Sequence, residues 1–139
     1  MTSIIPYSLG QDLATGNVDL DTHSFKLMIL SSGYTPSKSH AKRSDLTNEV
    51  TGTGDYVAGG KAITFSVSRS NGVTSAAPST VTWTNPNGFS GRYAACCRDR
   101  GGAASADELV FVADFLTDKP ATGLQYQVSF STALTITVP

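Results

Sequence analysis

The run TNEVTGTGDYVAGGKAITF, Thr47 to Phe65, sets Gly52, Gly54, Gly59 and Gly60 ahead of Lys61, which are the residue types of a phosphate-binding loop. A loop of the form G-x-x-x-x-G-K-[ST] wraps its amides around phosphate, and it needs a glycine six positions before the lysine. That position is Asp55, whose carboxylate repels an anion, and the residue after the lysine is Ala62, which has no hydroxyl for magnesium. The dinucleotide pattern G-x-G-x-x-G fails at Val57. Neither a nucleotide nor any other cofactor is expected, and the glycines read as turn residues.

Other constellations are equally incomplete. Gly88-Phe89-Ser90-Gly91 is one residue short of a G-x-S-x-G nucleophile elbow, and neither His23 nor His40 has a carboxylate that the sequence places beside it. Asp107 and Glu108 fall in a polar stretch before an apolar strand and are expected to be solvated. Asp114 interrupts that strand, and the expectation is a structural pairing with Arg92 or a loop rather than acid–base work. The only cysteines, Cys96 and Cys97, are adjacent. On a strand they point to opposite faces, one buried and one less so, and cannot bridge; with no further ligands spaced to help, no metal site is expected. Trp83, Tyr93 and Phe111 could line a sugar-binding face, but Trp83 alternates with threonines, Tyr93 and Phe111 lie in apolar strands, and all three read as core.

Charge limits the partners. Ten basic and eleven acidic residues among 139 give a net charge of −1, so no broad positive field exists to hold nucleic acid. The start, MTSIIPYSLGQDLATG, lacks the pattern of a secretory signal, and no apolar stretch approaches the roughly 18 residues that span a bilayer. Synthesis in a reducing cytoplasm fits the cysteine usage.

The elements that must carry these residues are short and alternate with period two. SFKLMILSS is apolar on both faces and reads as a central strand; KAITFSVSRS reads as one half-exposed strand, stopped by Asn71-Gly72, a pair tolerant of positive φ. STVTWTNP, GRYAACCRD, ELVFVADFL, LQYQVSF and the segment from Leu134 to Val138 follow as strands, with TDKPATG as a turn. SKSHAKRSDLTNEV offers a Ser37 or Ser39 cap but too thin an apolar stripe for a core helix, so one or two short helical turns at most are expected there. The sum is an all-β protein, a single antiparallel β-sandwich of jelly-roll or immunoglobulin-like type with about seven to nine strands. It occupies residues 18–139, preceded by an extended N-terminal arm over residues 1–17.

The order of features carries a resemblance. FKLMILSSGYTPS, then DLTNEVTGTG with Tyr56 and AGGKAIT, then Val81 and Trp83, RYAA, and LVFVADF resembles small virion structural proteins of tailed bacteriophages. The likeness spans roughly Phe25 to Phe115 and departs from the family after RYAA, where Cys96-Cys97-Arg98 stands in place of apolar or aromatic residues. It implies a non-enzymatic protein made in the host cytoplasm and located on the virion. The favoured expectation is a capsid decoration or cement protein that binds the major capsid protein as a homo-oligomer, with a trimer favoured. A tail, head–tail adaptor or fibre-associated protein is the first alternative, and a carbohydrate-binding module the second. Contact residues expected on that basis are Ile4, Ile5, Tyr7 and Leu9 of the arm, which either lies on a neighbour or folds over its own sandwich. The others are the exposed cations Lys38, Lys42, Arg43, Arg98 and Arg100, with His40 among them.

Overall fold

Alternating side chains become strands wherever both neighbours in the sheet can use them, and the computed structural model, which describes Met1 to Pro139, is all-β on that basis. Ten strands form three antiparallel sheets packed as a sandwich. The large sheet has the order β1-β8-β7-β2-β3, built from Thr2–Ile4, Leu109–Thr122, Asn87–Arg98, Phe25–Leu30 and Lys61–Ile63. A three-stranded sheet has the order β10-β5-β4, from Leu134–Thr137, Val73–Pro78 and Phe65–Ser70, and β6 (Val81–Thr84) pairs with β9 (Gln125–Val128).

β2 is central, as its two apolar faces require. Phe25, Leu27 and Ile29 join Trp83, Ala94, Cys96 and Phe111 in the larger core, between the sheets. Met28 and Leu30 join Tyr34, Tyr93, Ala95 and Cys97 in a second cluster on the opposite face. Ser31–Val50 crosses that face as an irregular cover, contributing Tyr34 and Leu46 and tied down by Ser31 N–H to the Asn48 carbonyl and Val50 N–H to the Ile29 carbonyl. Cys96 and Cys97 point to opposite faces as expected, but both are buried, because both faces are covered.

Several boundaries differ from the sequence reading, each for a physical reason. The arm is integrated rather than extended: Thr2–Ile4 pairs with β8 of its own sheet and Leu9–Ala14 forms helix α1. Six residues are too few for a helix stable alone, so α1 depends on the packing of Leu9 and Leu13 against the core. SKSHAKRSDLTNEV holds one 3-10 turn at Arg43–Asp45, within the one or two short turns expected, where the Asp45 carboxylate accepts from the Ala41 and Lys42 amides. KAITFSVSRS is cut at Thr64, so that β3 stays in the large sheet and β4 starts the small one. The Asn71-Gly72 turn is as read, with φ of 47° and 80°. TDKPATG is not a turn, because β8 continues through it to Thr122, with a bulge after Asp114 that puts Leu116 at φ 66°.

The glycine-rich run is a backbone brace. A side chain at Gly60 (φ 82°) would meet the Leu27 carbonyl oxygen, and one at Gly54 (φ 78°) would meet that of Asn85. Glu49 accepts from Gly59 N–H (2.7 Å) and the Tyr56 hydroxyl (3.0 Å), while Lys61 Nζ donates to Asp55 and to the Thr82 carbonyl. Asp55, the residue that excludes a phosphate, fastens the loop to β6.

Candidate functional site

Two places gather side chains with chemical character. The first lies at the β7–β8 turn, where the chain returns after Arg98 and brings Asp107 and Glu108 beneath the 3-10 turn. Both carboxylates are buried, at 2% exposure each, and not solvated as their polar surroundings in sequence imply. Arg43 Nε donates to Asp107 at 2.8 Å, and the Arg100 amide donates to its other oxygen at 3.0 Å. Arg100 grips Glu108 with two N–H groups, at 3.1 and 2.7 Å, and Lys42 Nζ sits 3.4 Å away. Burial pushes the Glu108 carboxyl up, but the Arg100 hydrogen bonds and the nearby Lys42 outweigh it and hold the group at about 2. Lys42, Arg43 and Arg100, candidate contact residues by sequence, pair with these carboxylates while staying partly exposed, and the cluster clamps the 3-10 turn to the large sheet.

The second place is a half-open cleft of about 660 Å³ between α1 and the small sheet. Leu9 and Leu13 line it from the helix, Ala76 and Leu134 from the sheet, and Phe111 and Phe130 from the core, their rings edge to face at 5.3 Å. Its only charged lining residues are Asp19 and Asp21. The Asp19 carboxylate accepts from the Thr22 hydroxyl at 2.7 Å and from the Asp21 and Thr22 amides, which keep it below the usual carboxylate range. Asp21 is exposed. The arrangement offers apolar side chains, a negative rim and, along β10, a strand edge: the means to recognise another polypeptide by shape and backbone.

The remaining expected contact residues scatter. Ile5 and Leu9 line the cleft, whereas Ile4 packs on the second core cluster. Tyr7 is 77% exposed, its amide on the Lys38 carbonyl and its ring 6.0 Å from Lys38 Nζ. His40 Nδ1 is 2.7 Å from the Tyr34 hydroxyl, and Arg98 donates to the Asn17 carbonyl. Asp114 pairs with Arg92 as expected, at 2.6 Å, and its oxygen also takes the Leu116 amide of the bulge. Trp83, Tyr93 and Phe111 are buried. Phe130, Leu134, Asp19 and Asp21 are the functional candidates that sequence reasoning passed over; the period-two pattern marked Phe130 and Leu134 as strand residues, but nothing local shows that the two chain ends meet. No family model, curated protein or solved structure matches the chain.

Proposed function

We propose that the protein is a structural component of a tailed-bacteriophage virion, a decoration or cement protein that binds the major capsid protein lattice as a homo-oligomer. The observation that carries this reading is the glycine-rich connection. The part of the chain most like phage virion proteins, Thr47 to Ile63, seats backbone on backbone at Gly54 and Gly60, locks the seat with Glu49 and Asp55, and places Val50, Tyr56 and Ile63 in the core. A motif with that role specifies a scaffold, and the cleft beside β10 gives the scaffold a surface for neighbours. Attachment through many symmetric copies needs only modest contacts per copy, and a trimer suits a threefold axis.

Fractionation of particles that carry the protein tests the reading. Recovery with DNA-filled heads lacking tails is expected, and recovery only with tails would overturn decoration in favour of a tail, adaptor or fibre-associated role.

A further inference from the structure

We infer that the cleft is a strand-acceptor site. It takes an extended segment of a partner protein, apolar at alternate positions and basic at one end, as a fourth strand on the outer edge of β10. This does not depend on which particle or protein supplies the segment.

The ladder fixes which groups are free. Asn71-Gly72 is a two-residue hairpin loop, so Ser70 and Val73 form a hydrogen-bonded pair. Alternation then gives Val73, Ser75 and Ala77 to β4, and Thr74 and Ala76 to β10. Pro78, which has no N–H, stands opposite Phe65 at a position where the alternation asks for none. Ile136 and Leu134, the partners of Thr74 and Ala76, therefore bond inward, and the N–H and C=O of Thr135 and Thr137 aim outward from the end strand of the sheet. The Val138 N–H on the Gly72 carbonyl, at 2.8 Å, keeps the same parity. An unpaired edge of this kind is a template for another chain.

The cleft lies along that edge. It reaches the edge from the sheet face: Val67, Ala76 and Leu134 line it across all three strands on one face, and Ala133, Thr135 and Ile136 carry it to the rim of β10. A strand added there turns alternate side chains to the face of Leu134 and Ile136. On that face Ile136 is 55% exposed and Val67 40%, so apolar surface stands ready to be covered. Because Asp19 and Asp21 are the only charges in the lining, the complementary segment carries a lysine or arginine near them.

The test uses the full chain labelled with nitrogen-15 and a capped synthetic peptide, Lys-Val-Thr-Val-Thr-Val-Thr, with its glutamate-headed counterpart as control. The expected result is saturable amide shifts centred on Thr135 and Thr137 and stronger binding of the lysine peptide. Thr135→Pro deletes an outward N–H at an edge position that tolerates proline, so it abolishes binding while the inward ladder and the melting temperature persist. Asp21→Asn weakens the lysine peptide about two- to fivefold and leaves the glutamate peptide no weaker. Shifts centred elsewhere, no binding at millimolar peptide, or full binding by Thr135→Pro would overturn the inference. So would concentration-dependent self-association through β10 that excludes the peptide, which would make the occupant a second copy.

Discussion

Neutralising Glu108 removes one of the two buried carboxylates of the clamp at the β7–β8 turn, and its cost is set by pH. The carboxyl titrates near 4.5 when unperturbed and at about 2 in the folded protein. That difference corresponds to about 3 kcal/mol, at about 1.4 kcal/mol per unit. Because the folded value is the lower one, the stabilisation is fully present above pH 5, where the unfolded group is ionised too. It is lost as pH falls through 4.5 towards 2, where the folded carboxyl also takes a proton. Glu108→Gln keeps the shape and deletes the charge, while Arg100 and Lys42, each about a third exposed, can turn to water. Urea denaturation at pH 7 should show the variant less stable by about 3 kcal/mol, equivalent to roughly 10 °C in Tm for a chain of this size. Asp45, Asp99 and Asp114 are also lowered and weaken both proteins in acid, so the informative quantity is the difference between the two curves. That difference should shrink towards zero by pH 2. Parallel curves from pH 7 to pH 2 would refute the claim that the buried ion pairs set the cost.

Three further outcomes follow from the packing. Gly60→Ala drives a methyl group into the Leu27 carbonyl at positive φ and should cost several kcal/mol, whereas Gly59→Ala, at φ 92° in open space, should cost only about 1–2 kcal/mol for the backbone conformation; thermal melts of the pair separate steric clash from strain. Trp83→Ala should lose about 3–5 kcal/mol, and iodide should barely quench the native tryptophan, which is fully buried. Cys96 and Cys97, whose thiols burial pushes well up, should resist a thiol reagent in the native state and both react once urea unfolds the chain; a fast native reaction would place at least one thiol at the surface.

What could be read in advance is what depends on local alternation. β2 declared itself central because Met28 and Leu30 made its second face apolar, and the Arg92–Asp114 pair followed from a carboxylate in an apolar strand. Asn71-Gly72 fixed its own turn. Hidden features depend on partners distant in sequence. Asp107 and Glu108 look like solvated loop residues until Arg43, 64 positions away from Asp107, folds over them. The break at Thr64 is invisible because Ile63 and Phe65 keep the same alternation in different sheets. Likewise α1 has too few residues to announce itself, and it exists because Leu9 and Leu13 find a core made by strands from the other end of the chain. The cleft was illegible for the same reason, since Leu13 and Leu134 meet only in the folded state.

The most direct test of the proposed virion role is a side-chain-resolution density map of intact tailed-phage particles assembled in cells that make this protein. Attachment to the capsid lattice predicts the sandwich on the outer surface of the head, in multiple symmetric copies against the major capsid protein. Density for the chain only in the tail, or its absence from the particle, would contradict it.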